Sequence, residues 1–269
     1  DTWRRDSFYR LATDIFEDLV RRNPEVYEYH YGVMLLDWVK AYGILDPKNP
    51  LTLELGERVL AIAKKQTSDD LALLMDVSTP LSSLYFDNGR ITEVIDLATL
   101  KIAMINKSET INSKEMQAAL AGAFQLRSAM NMKLQIEGHT LEDLTKSVAI
   151  FETLTTKYPD EYKLERAQSV FNLGEYYRFK SRFDSADLCF ERSMGLLRPL
   201  FLSDTNLNTA LAQVLASKAR LYYDLDRPVD MAWLQEAGRL MQKSSATMPK
   251  EYGDVLWLTA VCYRKQQDV

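Results

Sequence analysis

The chain has 269 residues, 46% of them hydrophobic, with a formal net charge of −5 and two cysteines. The acidic balance argues against a nucleic-acid partner, because proteins that neutralise phosphates carry a basic face or stripe. Two cysteines are too few for a disulfide framework, no apolar run approaches the length of a membrane span, and the sparse Gly (10) and Pro (8) leave few turn residues for a multi-stranded β fold.

Apolar residues recur at helical spacing nearly throughout, and the pattern divides into about twelve predicted helices. In chain order they span 7–22, 24–42, 50–66, 69–87, 90–107, 112–135, 140–158, 160–180, 183–201, 204–225, 228–247 and 249–267. Asn49-Pro50 puts a capping side chain before a proline in a first turn. Asn112 followed by Glu115, and Thr140 followed by Asp143, have the spacing of capping boxes. Asn88-Gly89 and Gly138-His139 break the pattern between helices. Pro80 falls inside 69–87 and predicts a kink or a late start there. The most polar joints, 106–114 and 135–143, are too short to separate independent domains, so 1–269 is expected to be a single array. The opening Asp1-Thr2-Trp3-Arg4-Arg5 has no initiator Met or signal peptide, which predicts an excised fragment of a larger protein or a processed product.

Self-similarity is clearest from Ala167 to Pro199. Val170, Leu173-Gly174 and Tyr177 lie on one helix, and Phe183, Ala186, Phe190 and Pro199 on and after the next. The second half of this unit recurs as Ala12, Phe16, Leu19 and Pro24; as Ser147, Phe151, Leu154 and Pro159; and as Ala237, Met241, Ser244 and Pro249. Gly32, Gly122 and the stretch Leu256, Ala260, Tyr263 echo the first half. Small residues at Gly174 and Ala186 permit a close helix crossing, and the large ones fill the wedge between successive pairs.

This pattern resembles the tetratricopeptide repeat (TPR), with Val170 in place of the usual Trp and Ser193 in place of a third small residue. The resemblance is carried most fully by 160–201, then by 7–24, 140–159 and 228–267, and least by 43–135. The intervals Pro159 to Pro199 and Pro199 to Pro249 exceed the usual ~34-residue period, so longer helices or insertions are expected. The resemblance implies an all-α solenoid of stacked antiparallel helix pairs, a TPR-like right-handed superhelix. It begins on a second helix and ends on a first, so uncapped ends that expose apolar surface are expected.

No pattern in the sequence supplies chemistry. Neither G-x-G-x-x-G nor G-x-x-x-x-G-K occurs, and His30 and His139 have no second ligand at metal spacing. Glu17-Asp18, Asp69-Asp70 and Glu142-Asp143 are adjacent, which on a helix places the two side chains on different faces and makes surface charge the plain reading. Arg4-Arg5, Arg21-Arg22 and Lys64-Lys65 supply too little charge for a phosphate site, and the latter two suit helix C-termini. Cys189 and Cys262 read as small buried thiols. An enzyme is therefore not expected, and no cofactor is called for.

The resemblance implies a partner-binding concave face lined by first helices. On 160–180 the polar stripe is Gln168, Asn172, Glu175 and Arg178, and on 204–225 it is Gln213, Ser217, Arg220 and Asp224. Such stripes suit an extended peptide, with an Arg fork gripping a carboxylate; they are equally what solvated helix faces carry, with Arg220 and Asp224 as i,i+4 partners. A second candidate surface is aromatic: Tyr29 and His30 within the run Tyr27–Tyr31, with Trp38 on the same helix; its plainer reading is packing between helices. The expected function is a protein-interaction module that binds a peptide or partner domain in its groove, as the scaffold or sensor part of a bacterial regulatory protein. The alternatives are a ligand-sensing domain for a small molecule or short signalling peptide and, behind it, a helical-repeat enzyme. No membrane insertion is expected; a second copy or another domain is a candidate to cover the uncapped ends. The compartment is left open, with the cytoplasm favoured.

Overall fold

The computed structural model describes residues 2–43, 45–65, 71–203, 208–242 and 249–267. The described residues form twelve helices and no strand. They are α1 (Thr2–Arg22), α2 (Pro24–Gly43), α3 (Pro50–Ala63), α4 (Ala72–Asp87), α5 (Ile91–Lys107), α6 (Lys114–Lys133), α7 (Thr140–Lys157), α8 (Lys163–Phe179), α9 (Phe183–Ser203), α10 (Asn208–Asp224), α11 (Met231–Gln242) and α12 (Pro249–Gln267). The expected Asp69-Asp70 pair and the repeat position Ser244 lie outside the described residues, as do the Arg4 and Arg5 side chains. The chain divides into two compact units, Asp1–Gly138 and His139–Val269, and the division falls in the polar joint 135–143.

Within each unit every helix packs on the next in sequence, and alternate helices also touch: α2 with α4 in the first unit, α8 with α10 and α10 with α12 in the second. This is the neighbour pattern of stacked antiparallel pairs, and the fold is an all-α, TPR-like solenoid. In the first unit Leu35, Val39, Val59, Val77, Leu81 and Ile105 are fully buried. In the second, Ala186, Phe190, Leu197, Leu211, Leu215 and Ala237 form one core.

The repeat residues do what their sizes require. A Cβ on Gly174 would stand 2.8 Å from Cε1 of Phe190 and 3.0 Å from Cβ of Cys189, so α8 and α9 cross where only glycine fits. Gly32 is similarly confined, by Leu73 at 2.7 Å and Ile62 at 3.2 Å. Gly122 is not: nothing lies within 4 Å of its missing Cβ, so its resemblance to a crossing glycine was positional only. Ser193, in the family's small-residue position, donates its hydroxyl to the Ala167 carbonyl at 2.8 Å and ties α9 to α8.

Some local expectations are corrected. Asn49 does cap α3, accepting from the Leu51 N–H at 3.0 Å, with Pro50 in the first turn. The cap of α6 is Ser113 rather than Asn112, with its hydroxyl accepting from the Met116 N–H at 3.2 Å. α7 begins at Thr140 after His139, so Thr140 is in the helix and not its cap. Asp143 is 1% exposed, not surface charge.

Pro80 and Pro199 lie inside α4 and α9, so Pro80 does not delay its helix and Pro199 does not close its unit. Each proline removes the hydrogen bond to the carbonyl four residues earlier. Those carbonyls belong to Asp76 and Gly195, both exposed, where water can serve them.

Candidate functional site

The polar stripes of α8 and α10 meet across a groove in the second unit. It has a volume of about 590 Å³, and its third wall is α12. Asn172, Glu175 and Arg178 from α8 and Gln213, Ser217 and Arg220 from α10 all line it. Asp224 stands at its edge beside both arginines, and Gln168 is exposed on α8 but outside the lining. The helical period places the stripes at i, i+3 and i+4, and the contact of α8 with α10 sets them side by side.

The two arginines are already engaged. Arg178 donates through Nη2 and Nε to Glu175, at 2.8 Å and 3.3 Å, and lies 4.0 Å from Asp224. The hydrogen bond to Glu175 holds the guanidinium pKa above its ordinary value against the opposing effect of burial. Arg220 donates to Asp224 at 2.8 Å, and its guanidinium carbon lies 5.4 Å from the centre of the Trp257 ring. An incoming carboxylate would therefore compete with two intramolecular ones.

The wall from α12 lies outside the two polar stripes that the sequence offers. Glu251, Asp254 and Trp257 recur every three residues on the groove side of α12, and Trp257 is 51% exposed. Among the described residues no lysine or arginine forms an ion pair with Glu251 or Asp254. Their i, i+3 spacing is a readable signal, but in the sequence the same stretch carries the repeat echo through Leu256, Ala260 and Tyr263. With Asp224, four carboxylates face two guanidiniums at this groove.

Lys218, one residue from the groove-lining Ser217, is only 1% exposed. Its ammonium donates to Glu191 and lies 3.0 Å from Asp187, with the Trp233 and Tyr222 rings at 4.9 Å and 5.5 Å. Burial draws its pKa down, but the two carboxylates outweigh burial and leave it raised. No spacing on α10 announced this, because both carboxylates come from α9.

The second candidate surface does not form as one surface. Tyr29 and His30 are exposed, whereas Trp38 is 4% exposed and stacks on Tyr9 with ring centres 5.2 Å apart. Positions 30 and 38 are two turns and a fraction apart, enough to turn Trp38 into the interface with α1. The neighbouring Tyr31 is also buried, donating to Glu17 at 3.1 Å and accepting from Arg58. On α1, Phe8, Leu11 and Ile15 are exposed on one face.

Among the described residues no three His, Cys, Asp or Glu side chains converge as a metal site, and no helix is long and apolar enough to cross a membrane. Both cysteines are free thiols whose pKa burial pushes up, which makes them poor thiolates.

These features define a helical-repeat protein with an open, polar groove across its first helices. No family model matches the sequence, and no curated protein matches it. Among solved structures, BtubC (BKLC) from P. vanneervenii is similar at a TM-score of 0.55 and 16% identity, over 92% of this chain and 92% of that one. The apo form of RapI is similar at a TM-score of 0.60 and 10% identity, over 98% of this chain and 92% of that one. At these identities the likeness is one of fold, and the fold is TPR-like.

Proposed function

We propose that the chain is a protein-interaction module and not an enzyme, and that the groove between α8, α10 and α12 binds an extended peptide of a partner protein. The observation that carries this reading is the meeting of six polar residues from two helices with the exposed indole of Trp257 on one open groove. Half-exposed tryptophans beside polar rims are frequent anchors of protein contacts. The excess of carboxylates over guanidiniums favours a peptide bearing Lys or Arg, since opposite charge steers association and like charge repels it.

The test is selection of peptides from a random library on the full chain, repeated with Trp257→Ala and with Glu251→Lys/Asp254→Lys. Basic peptides that bind the parent chain and are lost from both folded variants support the reading. Peptides retained equally by both variants sink the groove as the site; acidic peptides gripped through Arg178 and Arg220 sink the charge preference and leave the groove. A cavity of about 590 Å³ also falls within the range of small-molecule sites, about 300–1,000 Å³, which keeps a ligand-sensing role as the second reading. A thermal-shift screen of small molecules against the same variants separates the two.

A further inference from the structure

The first unit holds a cavity of about 310 Å³ between α4, α5 and α6. It exists because the facing residues are small: Ala98 on α5, Ala119, Gly122 and Ala123 on α6, with open space where a Cβ of Gly122 would stand. Lys101 lines it, one turn from Leu97 and Ala98 on the same face of α5. No described carboxylate forms an ion pair with Lys101, and burial alone draws its pKa below the ordinary lysine value with no acidic neighbour to oppose it. The opposite wall carries four hydroxyls. Ser78 donates to the Leu74 carbonyl and Ser83 to that of Thr79, at 3.3 Å for the latter. Ser82 is 7% exposed and its Oγ has no hydrogen-bond partner.

A half-buried ammonium without a counter-ion and a buried hydroxyl without a partner are both costly, and both are relieved by one acceptor. The Lys101 ammonium can only donate and the unpartnered Ser82 hydroxyl can donate beside it, which suits an anion, while the lysine's charge repels a cation. The rest of the wall, including Leu97 and Leu126, is apolar and suits a hydrocarbon body. We propose that this cavity binds a small carboxylate with a short apolar tail, its oxygens on the Lys101 ammonium and the Ser82 hydroxyl and its tail against Leu97 and Leu126. The site lies in the other unit from the groove and is independent of the function proposed for it.

The test is calorimetric titration of the full chain with hexanoate, with hexanol and with inorganic phosphate. It is paired with reductive methylation of lysines read by mass spectrometry, with and without hexanoate. Saturable hexanoate binding, weakened at least about ten-fold in Lys101→Met and in hexanol, is the expected result, since one charge-assisted hydrogen bond is worth about that much. Hexanoate is also expected to protect Lys101 from methylation while leaving the exposed Lys107 reactive. The methylation readout uses the unaltered protein, so the proposal stays open to test where Lys101→Met fails to fold. Absence of saturable hexanoate binding overturns the proposal, as does binding undiminished in a folded Lys101→Met or without protection of Lys101. Phosphate binding as tight as hexanoate overturns the apolar half of the site.

Discussion

Gly174 and Phe190 meet at a close crossing of α8 and α9: a single added methyl at 174 would press on the ring at 2.8 Å and 2.9 Å. Phe190 is fully buried, so the ring has nowhere to go. Gly174→Ala is therefore expected to destabilise the second unit by up to about 2 kcal/mol, the overpacking cost of about 1–3 kcal/mol less the helix-propensity gain of about 1. Gly253 lies on the exposed side of α12 with nothing near its missing Cβ, and Gly253→Ala should stabilise by about 0.5–1 kcal/mol. Urea unfolding should separate the two variants; a Gly174→Ala that stabilises as much as Gly253→Ala would disprove the close crossing of α8 and α9.

Lys218 offers a second check on the same unit. Lys218→Met leaves Asp187 and Glu191 facing each other without their shared cation. Both carboxylates are partly solvated, with side chains 28% and 56% exposed, so the loss should fall below that of a fully buried pair, on the order of 2 kcal/mol. Adding Asp187→Asn and Glu191→Gln to Lys218→Met should restore part of it, because the unpaired carboxylates are then gone. No recovery in chemical denaturation would mean that packing of the lysine stem, not charge, was lost.

Tyr31 and Tyr85 in the first unit titrate late. Burial pushes both hydroxyls up to about 12, and each also donates to a glutamate: Tyr31 to Glu17 at 3.1 Å, Tyr85 to Glu57 at 3.3 Å. The folded pKa lies above the unfolded value of about 10. The associated stability is intact below about pH 10 and is lost as pH rises towards 12, on the order of 2–3 kcal/mol for each tyrosine. Tyrosinate absorbance should show two groups ionising together with loss of helix, and the Tyr31→Phe/Tyr85→Phe variant should lack that step. A step near pH 10 that loses two groups in the Tyr31→Phe/Tyr85→Phe variant would contradict their burial.

Trp257 should report occupancy of the groove. Half exposed under Arg220, it is expected to shift its emission to the blue when a peptide covers it. Trp257→Ala should weaken peptide binding at least about ten-fold, a hot-spot loss, while changing stability by less than about 0.5 kcal/mol. A peptide that binds without altering Trp257 emission binds elsewhere.

Helical periodicity is a local property, so the sequence alone settled much. The runs 90–107 and 140–158 coincide with α5 and α7 to within a residue at each end, and Asn49-Pro50 placed the start of α3. The same periodicity put Asn172, Glu175 and Arg178 on one face, and Gln213, Ser217 and Arg220 on another, because side chains three and four apart on a helix share a face whatever surrounds them. Tertiary structure decided what those faces meet. Only the packing of α8 on α10 joined the two stripes, only α12 brought Trp257 and two carboxylates to them, and only the pairs with Glu175 and Asp224 engaged the arginines that the sequence offered to a ligand. Lys218 reads on α10 as one more polar position and is buried because Glu191, 27 residues earlier, and Trp233 close over it. Neighbours so far apart in sequence are fixed by how helices stack, and spacing within one helix carries no record of the side chains on the next.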